Sequence, residues 1–257
     1  MLYLQTMIFI KAFILFVLVP FNLTNSITAT VDSNNKETEE AFIPLNQYTL
    51  ELFNEINDQH LSLEVFEIAV KGYSELSLKN KLKNKKFLTI VDMSLSANTE
   101  RMFIIDMEKR ILVEKKLVAH GIKTGYEFAS NFSNEQSSHK SSLGFFITGE
   151  LYNGRHDLSM KLDGQEYSND NARSRGVVVH SADYVSCEYI KSNGRLGRSF
   201  GCPAIDKEGY EETVNKLQGG SCYFIYYPSR SYLSRSRIVN SRKEFVLNQS
   251  GNVSFIE

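Results

Sequence analysis

The sequence predicts a mainly β protein, a β core carrying a few helices and preceded by N-terminal helices. Two observations predict it. From Phe87 onward, short runs rich in Val, Ile, Phe and Tyr follow one another through turns of a few residues instead of alternating with long helices, which favours a mostly antiparallel sheet. Ahead of Phe87, apolar residues recur at the spacing of amphipathic helices. At 257 residues, 42% hydrophobic and 23% charged, the chain suits one large domain or one domain with a small appendage, and disorder over most of its length is excluded.

Residues 7–20 form an apolar run broken only by Lys11 and followed by polar residues from Asn22. The run is short of the roughly 20 apolar residues of a spanning helix. It reads as a secretory signal, with small residues near Ala29 for cleavage, or as an uncleaved N-terminal anchor. On either reading residues 1–29 export the rest of the chain to the periplasm or cell envelope. Residues 30–62 read as a polar, acidic linker and a first helix over 47–56. Leu63, Phe66, Ala69, Val70 and Tyr73 define a second helix with Ser62 as its N-cap. After a basic turn at 79–86, strands are expected over 87–93, 101–106, 111–119, 144–149, 157–162, 176–180 and 222–227. Two helices interrupt the later strands: 183–191, stopped by Asn193-Gly194, and 207–217, capped by Asp206 and ended by Gly219. The Ser/Asn-rich stretch 121–142 shows no element and reads as a candidate lid. The main domain then spans 63–228, with a C-terminal extension over 229–257.

With 29 Lys+Arg against 30 Asp+Glu the chain has no basic excess to displace counterions from a phosphate backbone, so nucleic acid is not an expected partner. Cys187, Cys202 and Cys222 lack the paired spacing of a zinc site, and at most one disulfide can form among them. Cys187 and Cys222 read as small apolar core residues able to pair only if the fold brings them together. His120, His139 and His156 fall on separate elements without a ligand spacing, so no metal and no cofactor are expected. His120 and His139 flank the lid and would position substrate or face solvent, while His60 has no assigned role. Asp163, Asp170 and Asp183 read as turn and cap residues.

The densest reactive chemistry lies in Val177-Val178-Val179-His180-Ser181 and Gly194-Arg195-Leu196-Gly197-Arg198-Ser199-Phe200-Gly201-Cys202-Pro203-Ala204. A thiol is a weak nucleophile until it becomes a thiolate, and an imidazole that takes its proton supplies that state. His180, ending a buried strand, is the natural base for Cys202. Gly201 permits a backbone in which the Gly201 and Cys202 amides converge as an oxyanion hole. Strand-end histidines and buried free cysteines are common, so the residues alone still favour a structural reading of the pair.

The stretch His180-Ser181 with Ser199-Phe200-Gly201-Cys202 resembles the signature of L,D-transpeptidases of the YkuD-like fold. It is more similar still to the murein L,D-transpeptidase catalytic-domain branch. That branch resembles this chain also at Ser141-Ser142-Leu143-Gly144-Phe145, Asn171-Ala172-Arg173-Ser174-Arg175 and Val179-His180-Ser181-Ala182-Asp183-Tyr184-Val185, so the likeness spans about residues 63–228. It implies a YkuD-like β-barrel or sandwich. It also implies Cys202 as nucleophile, His180 as base and the Ser181 carbonyl as orienter of the imidazole. The implied reaction is attack on the amide before the terminal D-Ala of a peptidoglycan stem tetrapeptide, giving a thioester that an amine resolves into a 3→3 cross-link. Water as acceptor would make an L,D-carboxypeptidase or amidase instead, and loss of chemistry would leave a wall-binding protein. The family also implies acylation by carbapenem-type β-lactams.

Two departures stand out. Phe200 replaces the second histidine of many members, an aromatic that fits the closer branch, and Ala204 replaces an arginine suited to a substrate carboxylate. Arg198, Arg195 or Arg173 is expected to take that arginine's role, with Ser199 and Phe200 lining the pocket and Tyr184 either lining it or packing in the core.

Overall fold

The computed structural model describes residues 41–155 and 157–256. The signal or anchor expected over 1–29, the linker residues up to 40 and His156 lie outside them. The described chain opens with a two-residue strand, β1 (Ile43–Pro44), and two helices, α1 (Leu45–Ile56) and α2 (Leu63–Leu78). Ser62 caps α2 as expected, its Oγ accepting from the Val65 amide at 3.3 Å. The next strands are β2 (Phe87–Asp92), β3 (Met102–Asp106), β4 (Ile111–Lys116), β5 (Val118–Ala119), β6 (Gly144–Gly154), β7 (Asp157–Gly164) and β8 (Val178–Ser181). Then come α3 (Cys187–Asn193), β9 (Ala204–Ile205), α4 (Tyr210–Leu217), β10 (Cys222–Tyr226), α5 (Arg230–Arg235), β11 (Glu244–Leu247) and β12 (Val253–Ile256).

One nine-stranded sheet runs β4-β3-β2-β10-β6-β7-β8-β9-β5. Only β10 with β2 and β8 with β9 pair in parallel, so the antiparallel expectation holds for most of the sheet. Only Leu117 separates β4 from β5, yet they stand at opposite ends of the strand order, so the sheet curls until its edges approach. This is the nearly closed β-barrel expected of a mainly β chain.

Two local expectations are corrected. Asp206 does not cap α4: it accepts from Lys116 Nζ at 3.0 Å, and the cap position is Gly209 at φ 65°. The strand expected over 144–149 runs on to Gly154, paired with β7 across a bulge after Thr148.

Helix α2 packs Val65, Phe66, Ala69, Val70 and Tyr73 into the core formed with β2, β3, β6 and β10. Burial of the larger of these side chains, such as Val65, Phe66 and Val70, contributes about 1.5–3 kcal/mol each. Gly72 lets the helix approach closely, because a Cβ there would sit 2.0 Å from Phe145 Cζ. Phe145 cannot yield, since its ring stacks on Phe224 at 4.1 Å. Gly72→Ala is therefore expected to cost about 1–3 kcal/mol, read as a lower urea midpoint, and an unchanged midpoint would refute this account of the packing.

The C-terminal residues close the same core. Tyr232, Ile238, Phe245 and Leu247 are buried within it, and β11 bridges β1 and β12 in a small second sheet. Glu166 fastens this segment to β6. Its Oε2 accepts from the Phe145 amide and the Tyr232 hydroxyl, both at 2.8 Å, and its Oε1 accepts from the Ser236 hydroxyl. Burial raises the Glu166 carboxyl above the usual carboxylate range despite these donors.

Candidate active site

Strand β8 places His180 in the protein interior, opposite Ser159 of β7 and Ala204 of β9. Its amide donates to the Pro203 carbonyl at 3.4 Å, so the backbone that carries the imidazole is tied to the segment just after Cys202. Nδ1 lies 2.9 Å from the Ser181 carbonyl oxygen. A carbonyl only accepts, so Nδ1 carries the proton and Nε2 is left as the basic nitrogen.

The turn carrying Cys202 is built by serine hydroxyls. Ser199 is fixed through its backbone, its amide donating to His120 O at 3.0 Å and its carbonyl accepting from Ile122 N at 2.7 Å. Its Oγ accepts from the Gly201 amide at 3.0 Å and donates to Cys202 O at 2.6 Å. Ser141 Oγ donates to Gly201 O at 3.1 Å and accepts from Gly121 N at 3.0 Å. Gly201 sits at φ 131°, a conformation that favours glycine, and a Cβ there would lie 3.0 Å from Lys140 O.

These bonds correct one expectation. The Gly201 amide is committed to Ser199 Oγ and does not converge with that of Cys202. The Cys202 amide itself has no acceptor among the described residues.

The Cys202 thiol is partly exposed, with Sγ 3.7 Å from Gly176 O. Burial raises its pKa, opposed by the Val178 backbone N–H and the Arg175 guanidinium. A shift in this direction disfavours the thiolate form of the resting sulfur. Alkylation of resting Cys202 by iodoacetamide is expected to rise with pH through a midpoint above the ordinary thiol value of about 8.5. A midpoint at or below that value would contradict the upward shift, and only one below neutral pH would show a preformed thiolate.

A pocket of about 200 Å³ opens on Cys202. Ser137 and His139 of the long loop line it together with Arg175, Val177 and Phe200. Phe200 is 73% exposed and holds its ring 4.9 Å from that of His139.

The arginines named from sequence lie elsewhere. Arg173 is engaged by Glu150 at 3.0 Å and by Asp163. Arg195 and Arg198 stack over Tyr126 at 4.4 and 5.1 Å, and Arg198 Nη1 donates to Ile122 O and Gly125 O, bracing the start of the loop. The arginine at the pocket is Arg175. The motif Asn171-Ala172-Arg173-Ser174-Arg175 contained it, but within one turn no spacing rule says which guanidinium faces the thiol. Tyr184 packs against Gly197, and burial together with the nearby Cys202 pushes its phenol up to about 12.

Other expectations change with burial. His120 neither faces solvent nor lines the pocket: it is fully buried, its Nδ1 2.8 Å from Arg101 Nη2, and burial next to that cation pushes its pKa down to about 4. His139 does line the pocket. His60 Nδ1 lies 3.3 Å from Lys115 Nζ. Asp163 pairs with Arg173, Asp170 accepts from Asn134, and Asp183 meets Lys207 at 2.6 Å. Cys222 is buried but Cys187 is exposed, because the short helix α3 buries none of its residues, and both thiols are free. Among the described residues no three His, Cys, Asp or Glu side chains group as a metal site.

The chain belongs to the L,D-transpeptidase catalytic domain family, whose model matches residues 57–226. Solved structures similar to it include an L,D-transpeptidase from Mycobacterium smegmatis, 13% identical, over 55% of this chain and 59% of that one, with a TM-score of 0.36. Another is the L,D-transpeptidase from Xylanimonas cellulosilytica, 11% identical over 71% and 91% of the two chains at a TM-score of 0.33. The L,D-transpeptidase from Stackebrandtia nassauensis is 12% identical over 71% and 77%, also at 0.33. The match spans about three fifths of the Mycobacterium chain. No curated protein matches the sequence.

Proposed function

We propose that this protein is an exported cysteine acyltransferase acting on peptidoglycan stem peptides, an L,D-transpeptidase with Cys202 as nucleophile and His180 as base. The observation that carries the reading is His180 with Nδ1 engaged by the Ser181 carbonyl, anchored by its amide to the residue after Cys202. As Sγ attacks the amide carbonyl before the terminal D-Ala, its proton passes to His180 Nε2, and the Cys202 amide donates to the oxygen that gains charge. The C–N bond then breaks, the D-Ala amine takes the proton from His180, and a thioester remains. An amine from a second stem attacks the thioester, gives a proton to the imidazole and leaves a 3→3 cross-link, after which the thiol regains its proton. Export by residues 7–20 would place the chain where this polymer is assembled.

The test is intact mass after mixing with a disaccharide tetrapeptide. An adduct equal to the substrate less D-Ala, with D-Ala released, is expected. Adding an amine should divert product from trimmed tripeptide to cross-linked dimer. No adduct and no D-Ala from folded protein would reject the reading, while an adduct resolved only by water would make the enzyme a carboxypeptidase.

A further inference from the structure

Arg175 stands between the thiol and the loop that walls its pocket, and its bonds are unlike those of the other arginines. Nη1 donates to Ser133 O at 3.0 Å and to Ser142 Oγ, while Nη2 donates to Ser138 Oγ at 3.2 Å and Lys140 O at 2.9 Å. All four acceptors belong to residues 133–142. Two residues of that segment, Ser137 at φ 56° and His139 at φ 55°, hold left-handed backbone conformations that side-chain-bearing residues adopt only under constraint. The acceptors on Ser138 and Lys140 flank His139, the residue that presents its ring to Phe200 and the pocket. Nη2 also lies beside the turn carrying Cys202, 3.7 Å from the position a Cβ on Gly201 would take. Among the described residues no carboxylate pairs with Arg175, so its charge is not neutralised locally.

We propose that Arg175 is the positioning residue of this pocket, latching the 133–142 wall in place on one side and presenting a fixed positive charge to Cys202 on the other. A planar guanidinium can serve four acceptors in fixed directions, whereas an ammonium supplies the charge without that fork. The charge opposes the effect of burial on the thiol, and the latch keeps His139 at the pocket mouth. His180, Tyr184 and His139 are the other titratable groups around Cys202. The inference rests on Cys202 being the nucleophile, but its test needs no peptidoglycan.

The experiment compares the full chain with Arg175→Gln, Arg175→Lys and Ser138→Ala, each in a Cys187→Ser background so that the exposed second thiol is silent. It measures the pH profile of Cys202 alkylation and amide hydrogen exchange over 133–142. Arg175→Gln should move the alkylation midpoint up by about one pH unit, slow the neutral-pH reaction about tenfold, and speed exchange in the loop. Arg175→Lys should keep the midpoint but speed exchange, separating charge from latch. Ser138→Ala should also speed exchange while keeping the midpoint, and it covers the case in which Arg175→Gln does not fold. A folded Arg175→Gln with wild-type alkylation and exchange overturns the proposal, as does Ser138→Ala with unchanged exchange. A wild-type Cys202 inert at every pH would remove the nucleophile reading and this inference with it.

Discussion

Cys202→Ala is expected to form no covalent adduct with a tetrapeptide or a carbapenem and to lower D-Ala release by at least about 10³-fold. The size comes from the chemistry. Without sulfur no thioester forms, and what remains is binding and the Cys202 amide acting on a direct attack by water. The variant should stay folded, because the turn is held by Ser199 and Ser141 and the thiol is only partly buried. Its melting midpoint should match wild type within a few degrees, so a loss of activity will report chemistry. Cys202→Ser keeps a nucleophilic atom but one whose proton is harder to remove, and should recover only a small part of the rate. Adduct formation by the alanine variant would show that another residue is acylated. Exposed Cys187 would then be the first to examine, by peptide mass.

Much of this arrangement was written in local signals. Helix α2 announced itself through its apolar spacing and Ser62, and β2, β3 and β10 through runs whose neighbours supply only short turns. His180 and Cys202 stood out as residue types, and the motifs around them placed them in one family. The parts that escaped depend on residues far apart in the chain. Asp206 fits a helix cap by sequence, yet Lys116 at the end of β4 reaches it first. Gly201 offers an amide, yet the Ser199 hydroxyl two residues earlier takes it. Arg173 and Arg175 are equivalent in a motif, and only the folded turn sends one to Glu150 and Asp163 and the other to the thiol and the loop. Cys187 read as a small apolar core residue within the helix expected over 183–191. The short α3 nevertheless leaves it at the surface.

His180→Ala should reduce tetrapeptide acylation at neutral pH by about 10²–10⁴-fold, with a pH signature that a merely structural role would not produce. On the proposed mechanism the imidazole takes the thiol proton as the bond to carbon forms, so the wild-type reaction would not wait for the thiol to ionise. In the variant only the small fraction already ionised can attack. Burial raises the Cys202 pKa, which makes that fraction smaller still at neutral pH. As pH rises toward the thiol's own pKa the fraction grows about tenfold per unit, so the deficit should narrow steadily and be least in alkaline solution. His180→Asn tests the orienting carbonyl separately. Its side-chain amide can still donate to Ser181 O, but it has no basic nitrogen, and it should be as impaired as the alanine variant if proton transfer is the imidazole's task. A deficit constant with pH would assign His180 to positioning alone. No deficit would leave the proton from Cys202 to another acceptor, and among the described residues His139 is the imidazole that lines the pocket.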